Sequence, residues 1–192
     1  MARTESTMLR LGTAAPDLAL TDVVSNREVR LASFTRKGLL VMFLCRHCPF
    51  VQHIGQGLAA LAKDYAGTEL DIVAISSNDA EGYPDDGPDG LRLMARELGF
   101  WFPYCHDDTQ RVAKAYQAAC TPDFFLFDAG RKLVYRGQFD DARPGNGVAV
   151  TGRDLRAAID ATLAGRAAAS QQKPSIGCNI KWKPGNAPAY FS

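Results

Sequence analysis

Two apolar patterns meet at Pro49 and limit the folds that are open to this chain. Residues 39–44 form a continuous apolar run, which is typical of a strand buried on both faces of a sheet. After Pro49 the apolar residues recur at spacings of three and four, which predicts an amphipathic helix. A second apolar run follows at residues 70–75. The order strand, helix, strand predicts a βαβ unit with parallel strands and a right-handed crossover.

Shorter patterns on either side of this unit predict further elements. Apolar and polar residues alternate around positions 18–20 and 29–31, and the polar stretch 25–27 lies between them, which predicts an N-terminal β-hairpin. The remaining predicted elements, in chain order, are a helix that ends at Gly99, a strand over residues 100–104, a helix capped by Asp108, antiparallel strands over residues 124–127 and 133–139, and a helix begun by Thr151 and Asp154 as a capping box.

The composition excludes several functional classes. The chain has 192 residues, with 22 Lys plus Arg against 21 Asp plus Glu and a formal net charge of +1. Nucleic-acid binders usually carry a basic excess, so no nucleic-acid partner is expected. No apolar run approaches the ~20 residues of a membrane helix, and the polar first ten residues lack the apolar stretch of a signal peptide. We therefore predict a cytoplasmic protein without a membrane partner.

The last part of the chain, residues 166–192, differs from the rest. It has four basic and no acidic residues, which leaves 18 basic against 21 acidic residues in the remainder. Its five prolines and glycines from Pro174 to Pro188 exclude a long regular helix. Its apolar residues, among them Ile180 and Trp182, are too many for a solvated tail. We predict a domain over residues 9–165 and a C-terminal extension, residues 166–192, packed on it.

Cys45 and Cys48 stand where the buried strand meets the helix. The free N–H groups and the positive dipole end of a helix start both favour a thiolate. Arg46 and a protonated His47 add positive charge, so we predict that they tune Cys45 as a reactive thiolate near neutral pH. Cys48 lies one helical turn later, from where it can resolve a mixed disulfide formed at Cys45.

A metal site is the alternative interpretation of this pair. A single C-x-x-C motif supplies only two of the four ligands of a structural zinc ion. The other cysteines and the three histidines are not spaced as a second pair of ligands. The sequence therefore favours redox chemistry without a cofactor or metal, and a metal-binding module remains a second alternative.

Two further segments resemble a known family. The opening stretch 12–20, GTAAPDLAL, is similar to the entry strand of redoxins of the alkyl hydroperoxide reductase and thiol-specific antioxidant type. The stretch 118–128, AACTPDFFLFD, resembles the cis-proline loop and following strand of the same group. This resemblance implies an α/β, thioredoxin-like fold whose central mixed sheet is flanked by helices. It also implies that Pro122 is a cis-proline and that Thr121 and Pro122 position an extended substrate.

The resemblance has departures that bear on activity. Typical peroxiredoxins have proline and threonine seven and three residues before the peroxidatic cysteine, where this chain has Gly38 and Met42. We therefore predict a thiol–disulfide oxidoreductase with a Cys45–Cys48 couple. Its predicted partners are a disulfide-bearing protein or small molecule and an external thiol reductant. A thiol-dependent peroxidase that uses Cys45 remains the first alternative.

Three cysteines lie outside the C-x-x-C motif. Cys105, at the end of a predicted strand, is expected to be a buried small hydrophobe. Cys120 is two residues from Pro122, and we predict that the extension brings Cys178 near it. The pair would then act as accessory thiols beside the redox site. The alternative, which the sequence leaves open, is that Cys178 is an inert buried thiol.

Overall fold

A computed structural model describes residues 3–191 of the protein. Its strands are β1 (Arg3–Glu5), β2 (Ala19–Asp22), β3 (Glu28–Arg30), β4 (Gly38–Phe43), β5 (Leu70–Ser76), β6 (Tyr104–His106), β7 (Cys120–Thr121), β8 (Asp123–Phe127), β9 (Leu133–Gly137) and β10 (Ile176–Asn179). Its α-helices are α1 (Pro49–Asp64), α2 (Pro88–Leu98), α3 (Arg111–Tyr116) and α4 (Arg153–Leu163). Two short 3-10 helices span Leu31–Ser33 and Pro84–Asp86.

Seven strands form a central mixed sheet in the order β3-β2-β6-β5-β4-β8-β9. Strand β4 pairs parallel with β5 and antiparallel with β8, so the predicted βαβ unit is confirmed. The predicted N-terminal hairpin is confirmed as well, because β2 pairs antiparallel with β3. Strands β8 and β9 pair antiparallel, as their tight connection indicates.

Strand β4 is buried throughout because helices cover both faces of the sheet. Side chains alternate along a strand, so Leu40 and Met42 contribute to the apolar cluster on the face of α1, α2 and α4. Leu39, Val41 and Phe43 contribute to the cluster on the opposite face, where α3 packs. This double burial explains the continuous apolar run in the sequence.

The C-terminal extension takes part in a second, three-stranded sheet of order β1-β10-β7. Strand β10 pairs antiparallel with β1 and with β7, and places Cys178 opposite Thr121. Strand β1, which precedes the domain start predicted at residue 9, therefore belongs to the same assembly. Beyond β10, Lys181 accepts a hydrogen bond from the backbone of Asp79 through its carbonyl group. The extension is thus tied to the body at several points.

Three of the predicted local details are wrong. The strand predicted over residues 100–104 lies at β6, where pairing with β2 and β5 decides its position. Helix α3 follows Gln110 in a left-handed conformation, and Asp108 does not cap it. Helix α4 follows Gly152 without a capping box, because the Asp154 carboxylate instead accepts from Gln138. Each position was decided by a contact from a distant segment.

None of the helices within residues 3–191 is both long enough and apolar enough to cross a bilayer.

Candidate active site

The first two cysteines of the site are placed by the junction between β4 and α1. Cys45 follows the end of β4, and Cys48 is the N-cap of α1. Pro49 occupies the first turn of α1, where the absence of an N–H group costs no helical hydrogen bond. Both sulfur-bearing side chains are fully buried. Solvent exposure therefore does not distinguish Cys45 from Cys48 in this arrangement.

The loop between β7 and β8 lies against these two cysteines. The Thr121–Pro122 peptide bond is cis, as the sequence resemblance implies. The Thr121 hydroxyl is 3.1 Å from the sulfur of Cys45. The Thr121 carbonyl oxygen is 3.2 Å from the sulfur of Cys48 and accepts a hydrogen bond when that thiol is protonated. One residue of the predicted substrate-positioning loop thus contacts both members of the cysteine pair.

Cys178 adds a third thiol to the site. Its sulfur lies 2.6 Å from that of Cys48, within the predicted neighbourhood of the redox pair. Cys178 and Cys120 stand at neighbouring positions of adjacent strands, as predicted, but the sulfur of Cys178 contacts Cys48 and not Cys120. The sulfur of Cys120 instead faces the carbonyl groups of Pro122 and Ser175, at 3.6 and 4.0 Å. Alternation along β10 and β7 explains the difference, since Cys120 is opposite Asn179 and not opposite Cys178.

The three neighbouring thiols, of Cys45, Cys48 and Cys178, differ in pKa. The pKa of the Cys48 thiol is lowered to about 2, because the thiols of Cys178 and Cys45 donate hydrogen bonds to its sulfur. The pKa of Cys45 is raised well above its ordinary value by its hydrogen bond to Cys48, by burial and by the nearby charge of Asp86. The pKa of Cys178 is raised for the first two of these reasons. The negative charge is thus favoured on Cys48 and not, as predicted, on Cys45.

Arg46 and His47 do not direct their charge at Cys45. The guanidinium group of Arg46 lies 3.5 Å from a carboxylate oxygen of Glu97. The imidazole of His47 hydrogen bonds through Nδ1 to the carboxylate of Asp86 and stacks on Tyr83. The predicted role of both residues in tuning a Cys45 thiolate is therefore not supported by their contacts, because each has an acidic partner of its own.

Asp86 is a site residue that the sequence analysis missed. Its carboxylate is fully buried and accepts hydrogen bonds from the backbone N–H groups of Arg46 and His47, at 2.7 and 3.1 Å. Asn78 donates a further bond, at 2.7 Å. These bonds hold the loop between the two cysteines. The sequence shows only an acidic, proline-containing loop here, and nothing in that pattern distinguishes Asp86 from its exposed neighbour Asp85.

The site also contains three groups able to bind a metal ion. Ligand atoms of Cys45, His47 and Asp86 lie within 4.8 Å of one another. The thiol and imidazole are ligands that zinc and copper accept. Neither His53 nor His106 belongs to this group, so the metal alternative now depends on residues around the C-x-x-C loop.

The other two cysteines, Cys105 and Cys120, are buried and lie outside this group of neighbouring sulfurs. Burial, together with the charge of Asp22, raises the pKa of Cys105 to about 12. Burial also raises the pKa of Cys120 well above its ordinary value. Cys105 is thus the buried small residue that the sequence predicts. Cys120 is placed beside the site, but its sulfur does not contact the other thiols.

Comparisons with known proteins show which sequences and folds this chain is similar to. The sequence profile of the AhpC/TSA family matches residues 11–136. A thiol-disulfide oxidoreductase, ResA, of Geobacillus thermodenitrificans is 26% identical over 130 residues, which are 68% of this chain and 70% of the relative.

Solved structures extend the similarity to the whole chain. An uncharacterized conserved protein from Geobacillus kaustophilus is 54% identical with a TM-score of 0.94, over 96% of this chain and 98% of that one. A match of this length includes most of the C-terminal extension. The thioredoxin domain of a thiol-disulfide oxidoreductase from Bacteroides vulgatus has a TM-score of 0.56 at 21% identity, over 67% of this chain and 88% of that one. The fold is therefore thioredoxin-like.

Proposed function

This chain belongs to the AhpC/TSA family, and we propose that it is a thiol–disulfide oxidoreductase whose redox couple is Cys45 and Cys48. One observation carries the proposal. The cis Thr121–Pro122 loop contacts both sulfurs of a cysteine pair at a helix start, at 3.1 and 3.2 Å. A dithiol beside a rigid loop with backbone groups is suited to hold and cleave an extended disulfide substrate.

The proposed reaction has two exchange steps. The thiolate of Cys45 attacks one sulfur of a substrate disulfide, forming a mixed disulfide and releasing the other substrate sulfur as a thiolate that takes up a proton. The thiolate of Cys48 then attacks the Cys45 sulfur and releases the second substrate thiol. The substrate disulfide is reduced and the Cys45–Cys48 pair is oxidised. An external thiol reductant, which we propose as a second partner, returns the pair to its reduced form.

The arrangement of charge supports a specific role for Cys48 in the first step. The Cys45 thiol must lose its proton before its sulfur can attack, and the neighbouring Cys48 thiolate is the base within reach, although the lowered pKa of Cys48 and the raised pKa of Cys45 make this transfer unfavourable at rest. Cys45 then becomes the nucleophile, while its hydrogen bond with the Thr121 hydroxyl favours the charged form. Cys48 is proposed as the second nucleophile, because its sulfur contacts Cys178 and the Thr121 carbonyl and has Cys45 beside it.

Burial of the sulfurs bears on the substrate. Cys45 and Cys48 have no exposed area, so a disulfide reaches them only when a covering segment moves. We propose that the covering segments are the loop that carries Asp86, which bonds the backbone of Arg46 between the two cysteines, and the C-terminal extension, which contacts Cys48 through Cys178. The cytoplasmic location stays a prediction from the sequence.

The peroxidase alternative gains no support from the contacts of Cys45. Met42 lies in the apolar core and Gly38 packs against Leu70, so neither offers a polar group to a peroxide. Arg46 is paired with Glu97. The Thr121 hydroxyl is the one hydroxyl group that we find hydrogen bonded to the Cys45 sulfur among residues 3–191.

The test is a direct comparison of oxidants on the reduced protein. We expect oxidised glutathione or an insulin disulfide to remove two thiols per chain, and hydrogen peroxide at the same concentration to react far more slowly. Cys45→Ser should abolish turnover, and Cys48→Ser should accumulate a mixed disulfide through Cys45. Cys120→Ala is the matched control, since its sulfur does not contact the pair.

Three results would redirect the assignment. Rapid, saturating oxidation by low hydrogen peroxide would put the peroxidase first. Equal trapping of mixed disulfides by Cys45→Ser and Cys48→Ser would contradict the division of roles. A stoichiometric metal ion in protein purified without chelator, lost on His47→Ala, would favour the metal-binding alternative.

A further inference from the structure

We infer that Cys178 is a third redox-active thiol, which forms a disulfide with Cys48. The inference rests on the thiol–disulfide exchange proposed above and adds a residue from the C-terminal extension to it. Cys178 lies outside residues 11–136, the part of the chain that the family profile matches. Its redox role would therefore belong to the extension and not to the matched domain.

The distance between the sulfurs is the first argument. The sulfurs of Cys48 and Cys178 are 2.6 Å apart, although the residues are 130 positions apart in the sequence. A covalent disulfide has a sulfur–sulfur distance of about 2.05 Å. The two thiols are thus close to bonding distance, and little backbone movement is needed to join them.

The start of α1 is the second argument. The first N–H groups of a helix have no partner within the helix. Here the backbone N–H groups of Val51 and Phe50, in the first turn of α1, act to lower the pKa of Cys48 and of Cys178, respectively. The start of one helix therefore interacts with two sulfurs whose residues are 130 positions apart in the sequence. Such donors stabilise the thiolate that disulfide exchange needs.

Gly177 supplies the third argument, because it allows β10 to reach the site. A Cβ atom at this position would lie 1.9 Å from the carbonyl oxygen of Thr121 and 3.0 Å from the nitrogen of Pro122. Only a residue without a side chain permits this approach. The residue before Cys178 is thus matched to the cis-proline loop, which is not expected if the extension only covers an apolar surface.

Hydrogen bonds on both sides of Cys178 fix its position. The Ser175 hydroxyl donates to the carbonyl of Pro122 at 2.6 Å, and the N–H of Ile180 donates to the carbonyl of Ala119 at 3.1 Å. After β10, the N–H of Lys181 donates to the side chain of Asn78 at 2.8 Å. Strand β10 therefore pairs along the edge that, by the family resemblance, receives an extended substrate, and Cys178 takes the place of a substrate thiol.

The inferred step is an internal disulfide exchange. The starting state is the Cys45–Cys48 disulfide, which the proposed function supplies by reducing a substrate disulfide. The sulfur of Cys178, after losing its proton, attacks the sulfur of Cys48. The Cys48–Cys178 bond forms, the Cys45–Cys48 bond breaks, and Cys45 leaves as a thiolate that takes up the proton. The step needs no further oxidant, and it returns Cys45 to the thiol form.

The sequence allows a direct test, because trypsin separates all five cysteines. Cleavage after lysine and arginine, except before proline, places Cys45, Cys48, Cys105, Cys120 and Cys178 in peptides 38–46, 47–63, 97–111, 115–131 and 167–181. The wild-type protein is oxidised with a small excess of oxidised glutathione, and free thiols are alkylated at acidic pH before digestion. We expect a linked pair of peptides 47–63 and 167–181 in the mass spectrum.

Variants separate this inference from the proposed function. Cys45→Ser, with four cysteines left, should still lose two thiols on oxidation, through Cys48 and Cys178. Cys178→Ser should also lose two, through Cys45 and Cys48. Cys45→Ser/Cys178→Ser should lose none, and Cys120→Ala should behave like the wild type.

The outcomes that overturn the inference are distinct. If the wild type links only peptides 38–46 and 47–63, and Cys45→Ser keeps its four thiols, Cys178 is not redox-active although the proposed function stands. A link between peptides 38–46 and 167–181 would show that Cys178 pairs with Cys45 and would overturn the inferred Cys48–Cys178 disulfide. If neither the wild type nor any variant loses thiols, the proposed function fails. The linked peptides of the wild-type protein test the inference on their own. A folding defect in one of the variants therefore does not leave it untested.

Discussion

The five buried cysteines of this protein fall into two groups with different surroundings. Cys45, Cys48 and Cys178 meet at the start of α1, beside the cis-proline loop and the buried carboxylate of Asp86. Cys105 and Cys120 lie in strands β6 and β7, where burial is the largest influence on their pKa values. Solvent exposure does not distinguish the groups, since each of the five side chains is at most 3% exposed.

The difference shows what makes a buried thiol reactive in this fold. Burial alone disfavours the thiolate and raises the pKa, as it does for Cys105 and Cys120. Hydrogen-bond donors reverse the effect at Cys48, where two thiols and the backbone N–H groups of Val51 and Cys178 lower the pKa. Reactivity therefore follows from the donors that surround the sulfur, and the comparison can be tested at both groups.

The largest effects are expected within the group of three neighbouring sulfurs, where Cys48→Ser removes the residue that belongs to both proposed disulfides. We expect disulfide-reductase turnover to fall by more than about a hundredfold, as for loss of a residue that takes part in the covalent step. Cys105→Ala and Cys120→Ala should stay within about twofold of the wild type. Reduction of an insulin disulfide, followed by turbidity, measures this. A large loss of turnover in Cys105→Ala would contradict the claim that only Cys45, Cys48 and Cys178 take part in disulfide exchange.

Gly177→Ala tests whether the close approach of β10 to the cis-proline loop keeps Cys178 beside Cys45 and Cys48. The new Cβ atom would clash with the Thr121 carbonyl, so we expect a loss of about 1–3 kcal/mol in the free energy of unfolding. Alkylation of Cys45, Cys48 and Cys178 should become faster, while Cys105 stays protected. Urea unfolding and mass-spectrometric alkylation rates measure the two effects.

The matched control for that variant is Gly130→Ala. Gly130 is exposed, and a Cβ atom there would meet only a side-chain oxygen of Asp128, at 3.4 Å. We expect a change within about 0.5 kcal/mol. If Gly177→Ala matched this control in stability and alkylation, the role of Gly177 in bringing β10 to the site would be refuted.

Among the two cysteines outside the site, Cys105 should make the stability of the protein depend on pH. The pKa of Cys105 is raised from 9.0 to about 12 in the folded protein. Between these values the unfolded chain loses the proton and the folded chain keeps it, so this group's stabilising contribution is complete below about pH 9 and is lost as the pH rises towards 12. The slope cannot exceed about 1.4 kcal/mol per pH unit.

Cys105→Ala isolates this contribution from that of other groups. The wild type should lose stability faster than the variant between pH 9 and 12, and the two curves should run parallel below pH 8. Urea midpoints at several pH values supply the measurement. Parallel curves over the whole range would mean that burial does not hold the Cys105 proton.

Thr121→Val has the smallest expected effect and tests the Cys45 side of the redox group. The Thr121 hydroxyl lowers the pKa of Cys45, so its removal should move the alkylation inflection of peptide 38–46 to higher pH. Loss of one hydrogen bond should cost about 1 kcal/mol of stability. Thr162→Val, which removes a hydroxyl bonded to the Ala158 carbonyl in α4, is the control and should leave the inflection unchanged. An unchanged inflection in Thr121→Val would show that the hydroxyl does not act on Cys45.

Much of the sheet and part of the site could be predicted from local patterns. The continuous apolar run of β4 predicts a central strand because both of its faces are covered. The change to helical spacing after Pro49 predicts α1, and the three-residue separation of Cys45 and Cys48 places both near its start. The resemblance around Pro122 led to the cis-proline loop, which the structure confirms.

The charge distribution of the site could not be predicted in the same way. Arg46 and His47 adjoin Cys45 in sequence, which favours a thiolate at Cys45. Their side chains instead contact Glu97 and Asp86, which lie in segments that the sequence does not connect to the site. A pKa depends on every group within a few ångströms, whereas a motif reports only the neighbours along the chain.

The sequence by itself determined the elements whose residues interact within a few turns of the chain: the buried strand, the helix after it, and the cysteine pair between them. Only the tertiary structure decided that Cys178 meets Cys48 and that Asp86 holds the loop of the pair, across separations of 130 and 40 residues. The physical reason is register. A shift of one residue in the pairing of β10 with β7 would turn the Cys178 sulfur to the other face, and no local pattern specifies that pairing.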